Sequence, residues 1–218
     1  MEKNIYCFWT GSNEMSEQRK QCLISLQTMS NCNVVFLDKD TIMPYILSEH
    51  PLHPAYMYLS ETHKADYLRT YFMNFYGGGY SDIKYTTQSW IPSFDALDQS
   101  DKWICGYKEI GPLGVATGPD NRELASYWKD LIGNGAYICK SQSPLTKEWY
   151  SDMIKLLDSN LELLKLHPAS HPQDSAEKRT GYPIEWNEML GRIFHRISYK
   201  YKEYILNSLP APRFSQYR

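Results

Sequence analysis

No apolar run in this 218-residue chain approaches the ~18 residues that a membrane-spanning helix needs, so no transmembrane segment is expected. The N-terminus lacks a charged stretch followed by an apolar one, which gives no reason to expect a signal peptide. Neither sign of charge dominates: 23 Lys and Arg stand against 25 Asp and Glu, the net charge is -2, and no stretch is strongly basic. That balance argues against a nucleic-acid partner but leaves room for a small anionic ligand held by a local Arg or Lys. The five cysteines (Cys7, Cys22, Cys32, Cys105, Cys139) are odd in number, scattered, and never at zinc-ligand spacing. Buried free thiols in a reducing compartment are expected, hence a soluble cytoplasmic protein. Repeats, low-complexity tracts and clear interdomain linkers are missing too, which favours a single domain. A domain of this length buries roughly 70% of the surface its unfolded chain exposes, so it needs no disulfide or metal staple to fold.

What the chain does have is an alternation of strand-like and helix-like segments. Asn4–Trp9 is a compact β-type run stopped by Thr10 and Gly11. Residues 16–29 carry an apolar stripe at helical spacing behind a capping Ser16, and 33–37 form an apolar strand ending in Asp38. Strand, helix, strand predicts a βαβ unit with parallel pairing, whose ligands bind beyond the carboxyl ends of the strands, where Thr10, Gly11 and Asp38 lie. Pro44, Pro51 and Pro54 break residues 41–60 into short pieces. A helix follows through Asp66 and Arg69, then a strand to Asp82. Further strands are predicted over 102–107 and 136–140, with a helix over 122–131 between them. Residues 144–166 predict a long amphipathic helix, 167–183 a polar Pro-punctuated loop, 186–207 a last helix and 209–218 an extended tail. The 18 tyrosines and six tryptophans fit the amphipathic edges of a core, and some could stack on a sugar or a base.

Residues 63–84 concentrate the chemistry. Asp66 and Arg69 lie three apart in a segment whose apolar residues (Ala65, Leu68, Phe72, Phe75) follow helical spacing, so both project from one face. Gly77, Gly78 and Gly79 end the helix and can let backbone approach a ligand, and the next strand delivers Asp82 to its end. Each feature alone is ordinary: an exposed ion pair, a helix stop, a strand-end acid. Together they suit a sugar joined to a diphosphate. Asp38 and Asp40 could touch a base or ribose, or simply cap the turn before Thr41. Glu185 and Asn187 could face an acceptor. His63 is expected to be solvated, His195 to be structural, and the 167–183 loop is a candidate lid.

The runs 5–11 (Ile-Tyr-Cys-Phe-Trp-Thr-Gly), 65–69 (Ala-Asp-Tyr-Leu-Arg) and 78–82 (Gly-Gly-Tyr-Ser-Asp) resemble the sugar-nucleotide-dependent glycosyltransferases of the GT-A fold. The resemblance is to their glycosyltransferase-32 and capsular-polysaccharide-synthesis group, which includes algal-virus members. Residues 181–191 are similar to a C-terminal element of the capsular enzymes. The resemblance implies an α/β, Rossmann-like single domain over residues 1–218, with a mainly parallel central sheet flanked by helices. Its nucleotide-sugar half would be about 1–110 and its acceptor-side half about 111–218. It implies a UDP-sugar donor, a glycan acceptor and retention of anomeric configuration. Phe8, Trp9, Thr10 and Gly11 would line the nucleotide pocket, with Asp38, Gly78, Gly79 and Lys84 also at the donor. Asp66 and Arg69 would hold the sugar and phosphate. Asp82 would be the first acid of an Asp-x-Asp motif that holds ribose and Mn²⁺ or Mg²⁺.

The chain departs from that motif at its second acid, reading Asp82-Ile83-Lys84. Two readings follow. Lys84 points away, and a metal sits on Asp82, the diphosphate and a loop residue such as His171 or Asp174. Alternatively, Lys84 itself neutralises the diphosphate. A non-catalytic sugar-nucleotide or glycan-binding module is the alternative function. A two-carboxylate glycoside hydrolase ranks last, since it has no use for Arg69 or the glycine turn.

Overall fold

The computed structural model describes residues 1–119 and 121–217. A six-stranded sheet in the order β2-β1-β3-β5-β4-β6 organises the chain. Strand β1 (Asn4–Trp9) pairs in parallel with β2 (Asn33–Asp38) on one side and β3 (Gly78–Ser81) on the other. Helix α1 (Glu17–Met29) makes the crossover from β1 to β2, with Ser16 accepting from the Arg19 amide as its N-cap. The expected βαβ unit is present. Strand β5 (Ile132–Cys139) runs antiparallel between β3 and β4 (Ile104–Lys108), and the short β6 (Ile205–Leu206) closes the far edge parallel to β4.

Side chains alternate across this sheet, and each face has its own core. Tyr6, Phe8, Tyr80 and Tyr137 pack against Leu68 and Phe72 of α2 (Glu61–Phe75) and against Trp149 and Met153 of α4 (Pro144–Leu166). Ile5, Cys7, Cys105 and Ile138 face the other way, toward Cys22 and Leu26 of α1 and Phe94 and Leu97 of α3 (Ile91–Asp98). All five cysteines are free, and all but Cys32 are buried. No helix among the described residues is long and apolar enough to cross a membrane.

Helix α2 is buried on nearly all sides, because residues 41–60 and α4 cover the face turned away from the sheet. Its charged residues are therefore placed in the interior, and Asp66 and Arg69 are 4% and 8% exposed. The exposed i,i+3 ion pair is thereby ruled out. His63 is also fully buried, contrary to the solvated position expected for it: Nδ1 lies 2.8 Å from the Tyr182 hydroxyl, and the two rings stack.

Two expected helices differ. Residues Arg122–Asp130 form 3-10 turns interrupted at Tyr127. The last helix is split into a π-type turn Glu188–Arg192, α5 (Ile193–Lys200) and a 3-10 turn Lys202–Tyr204, after which the chain enters β6. The cause is the open edge of β4: pairing Ile205 with Ile104 and Leu206 with Cys105 satisfies backbone groups that more helix would leave unpaired. The Trp103 ring, stacked on Tyr204 at 3.7 Å, holds that change of direction. The 167–183 loop is ordered around buried Asp174, whose carboxylate accepts from Ser170 N and Oγ, Ser175 N and Thr180 Oγ1. The tail folds back instead of leading away: the Leu209 amide donates to the Gly106 carbonyl and the Arg213 amide to the Tyr85 carbonyl. Its last residue, Arg218, lies outside the described residues.

Candidate functional site

A cleft of about 740 Å³ opens at the carboxyl ends of β1 and β3, a volume in the range that holds small organic ligands. Phe8, Trp9, Thr10 and Gly11 form one wall as β1 runs out. The Thr10 hydroxyl donates to the Glu61 carbonyl at 2.7 Å and ties this wall to the start of α2. The floor comes from Asp66 and Arg69 on α2 and from Asp82 and Lys84 beyond β3.

Those four side chains form one connected cluster. Arg69 Nη2 lies 2.7 Å from Asp66 Oδ1, and Nη1 lies 3.4 Å from Asp82 Oδ1 while donating to the Asn134 carbonyl at 3.0 Å. The Arg69 guanidinium also sits 4.5 Å over the Tyr80 ring. The Tyr80 hydroxyl donates to Asp82 Oδ1 at 2.7 Å, and Lys84 Nζ donates to Asp82 Oδ2 at 2.5 Å. Lys84 therefore faces Asp82, and the reading in which it points away is set aside.

The two acids differ electrostatically. Burial pushes the Asp66 carboxyl above the ordinary carboxylate range, with Arg69 opposing but not cancelling it. Burial acts the same way on Asp82, but Lys84 and then Arg69 outweigh it, and the net shift is downward. Asp82 is thus held as an anion, while Asp66 is the easier of the two to protonate.

Several contributors come from far along the chain and have no signature in the sequence. Asn134 and Gly135 belong to β5. The Gly135 carbonyl accepts from the Asp82 amide, and a Cβ on Gly135 would lie 3.3 Å from Asp82 Oδ2 and 3.6 Å from Lys84 Nζ. Arg19, from α1, donates to the Ile83 carbonyl at 2.6 Å and reaches the same cleft. Trp186, 41% exposed, also lines the cleft, together with Asn187 and His171, which the sequence did offer as acceptor-facing and loop candidates.

Other expected donor residues lie elsewhere. Asp38 is outside the cleft lining: its Oδ1 accepts from the Asp40 amide and from the Thr41 amide and hydroxyl, the capping arrangement that was the alternative for it. Gly78 and Gly79 do not approach the cleft. Gly77 and Gly78 have φ of +68° and +82°, and side chains there would meet backbone of residues 139–141 and Asn4, so these glycines serve the turn and the strand pairing. Glu185 pairs with Arg192. His195 is buried and accepts from the Ala116 amide at Nδ1, the structural role expected of it.

The donor set does not fit the Mn²⁺ or Mg²⁺ that the motif implies. A divalent ion needs carboxylate oxygens that no other cation already holds, since like charges repel across a shared ligand. Asp82 has one oxygen on Tyr80 and Arg69 and the other on Lys84. Asp174 is turned into its own loop, and no three His, Cys, Asp or Glu side chains among the described residues converge to hold a metal.

Residues 1–101 match the family model for "Capsular polysaccharide synthesis protein". No curated protein matches the chain. Among solved structures the chain is similar to PaToxG Glycosyltransferase, at a TM-score of 0.50 and 14% identity over 91% of this chain and 69% of that one. The matched segment ends just before β4 and contains β1, α2, β3 and all four residues of the cluster. The family match supports the resemblance to the capsular-polysaccharide-synthesis group, and the structural similarity shows a shared fold.

Proposed function

We propose that the chain transfers a sugar from a UDP-sugar to a hydroxyl of a glycan acceptor, with retention of configuration. The observation that carries this reading is the Asp66–Arg69–Asp82–Lys84 cluster on the floor of the cleft at the carboxyl ends of β1 and β3. Asp66, ionised, accepts hydrogen bonds from donor-sugar hydroxyls, which a carboxylate does well because it is acceptor-only. Arg69 fixes Asp66 and Asp82 relative to each other, so the sugar and the ribose are held at a set separation, and positioning of this kind lowers the barrier to transfer. Asp82 accepts from the ribose. Phe8 and Trp9 bound the base. Trp186 offers an exposed aromatic face on the acceptor side, suited to the apolar face of a pyranose.

Incubation with a panel of nucleoside-diphosphate sugars should release UDP slowly without acceptor and faster with a glycan, and NMR of the product anomer reads retention. The Asp82→Asn change keeps the shape but removes the charge that holds Lys84 and Arg69. It should weaken donor binding by roughly 1.5–3 kcal/mol, as expected for a lost charge-assisted hydrogen bond. An Asp82→Asn protein with wild-type UDP release would place the site elsewhere. Binding of UDP-sugar with no turnover under any acceptor would favour the non-catalytic module instead.

A further inference from the structure

We propose that Lys84 replaces the divalent cation of the Asp-x-Asp motif, so that donor binding and transfer by this chain are metal-independent. The proposal rests on the sugar-nucleotide reading above. Lys84 occupies the position of the motif's second acid, two residues after Asp82, and its side chain is 11% exposed on the cleft floor. Its ammonium is held from two directions. Asp82 Oδ2 lies at 2.5 Å, and the rings of Phe214 and Tyr217, from the returning tail, lie 5.0 and 5.3 Å away. Aromatic faces at that range favour a cation and do not compete for its protons. An ammonium has three donors and Asp82 takes one, so Lys84 can still donate to phosphate oxygens in the cleft.

Arg19 supplies a second cation: it lines the cleft, with one guanidinium nitrogen on the Ile83 carbonyl and the group 4.7 Å from the centre of the same Tyr217 ring. A diphosphate between Lys84 and Arg19 would meet two positive charges, the same number that one Mg²⁺ or Mn²⁺ would bring. A divalent ion would have to expel Lys84 from Asp82 and then lie a few Å from a displaced ammonium, with like charges repelling in a partly desolvated site. In the transfer step the bond from the sugar C1 to the β-phosphate oxygen breaks with its electron pair passing to that oxygen. The acceptor hydroxyl oxygen bonds C1, and its proton passes to solvent. Lys84 supplies charge at the departing oxygen, where preorganised donors contribute most.

Isothermal titration of the full chain with UDP, in EDTA and again in MnCl₂, tests this directly. The expected result is the same affinity in both, with UDP release from the donor persisting in EDTA. Lys84→Met should lose about tenfold or more in UDP affinity in both buffers, the cost of one charge-assisted bond, while Lys84→Arg keeps most of it. Lys84→Asp should lose affinity in EDTA and regain it in MnCl₂. Thermal unfolding of each variant separates lost binding from lost fold, and retention by Lys84→Arg stands as the folded control. Wild-type UDP binding that requires Mn²⁺ overturns the inference and leaves the donor reading intact, as does a Lys84→Met protein that binds UDP in EDTA like wild type. Failure of UDP, GDP, CDP and dTDP to bind in either buffer overturns the donor reading and this inference with it.

Discussion

Asp66 and Asp82 touch the same guanidinium yet are driven to opposite sides of the ordinary carboxylate range, and this asymmetry gives the site its pH dependence. For Asp66, burial raises the carboxyl, so as pH falls it is protonated before ordinary carboxylates and, on the proposed donor reading, no longer accepts from sugar hydroxyls as an anion does. UDP-sugar affinity should therefore show an acid limb above the ordinary carboxylate range. Asp66→Asn should bind more weakly at neutral pH and show no such limb, which titrations across pH would read. Asp82 has the opposite sign. Its folded pKa is depressed, so its contribution to stability is fully present above its unfolded value and is lost only as pH falls through the lower folded one. Urea denaturation should show Asp82→Asn flattening the stability profile in that acid window and nowhere above it.

At this scale the sequence was informative where spacing alone decides geometry. Asp66 and Arg69 three apart on a helix must share a face, whereas Asp82 and Lys84 meet across a tight turn in which the Lys84 amide donates to the Asp82 carbonyl, and their spacing alone leaves both orientations of Lys84 open. It was silent on Asn134, Gly135 and Arg19, because their approach to Asp82 depends on which strands pair and where α1 packs. It misdirected at Gly78 and Gly79, since a glycine announces that backbone comes close but not whose backbone.

Among the elements, α2 and its cover decide how rigidly the cluster is held. The Tyr182 hydroxyl reaches His63 Nδ1 at 2.8 Å, and this contact binds the segment after the 167–183 loop to the helix that carries Asp66 and Arg69. Tyr182→Phe leaves a fully buried imidazole nitrogen without that partner, and equilibrium unfolding should show a loss of about 1–3 kcal/mol. The α2-to-β3 turn is constrained more tightly. A Cβ on Gly77 would lie 2.8 Å from the Ser141 amide nitrogen and 2.9 Å from the Cys139 carbonyl oxygen, at a φ of +68°. Neither obstacle is a side chain that can swing aside. Gly77→Ala should therefore cost about 1–3 kcal/mol in the same measurement, through strain and a displaced β3–β5 pairing. The βαβ unit and the long α4 were legible because each has a strong local period. The 186–207 segment was not, since its apolar spacing suits a helix throughout, and only the unpaired edge of β4, distant in sequence, makes Ile205 and Leu206 a strand.

Across the whole molecule, the sheet order bears on whether the chain could divide near residue 110, where the family resemblance would end the nucleotide-sugar half. Strand β5 (Ile132–Cys139) stands between β3 and β4, so β4 does not pair with any strand that precedes it in the chain. A fragment of residues 1–110 would contain β2, β1 and β3 as a three-stranded remnant, with β4 detached and the antiparallel edge of β3 unpaired. It would also lose α4 and α5, whose Trp149, Met153, Phe194 and Ile197 complete the core beneath α2. The candidate site would go with them, because Asn134 orients Arg69, the Gly135 carbonyl takes the Asp82 amide, and Phe214 and Tyr217 border Lys84. The segment that resembles a family by sequence thus lacks part of its own candidate site: the cluster is written in residues 66–84 but also held by residues that follow 130. We expect residues 1–110 expressed alone to show no cooperative thermal transition and no UDP binding, while the full chain unfolds in one transition that UDP shifts upward by mass action. A fragment that melts cooperatively and binds UDP like the full chain would mean that β5 is dispensable, and that the cluster organises itself without the strand on which its geometry here depends.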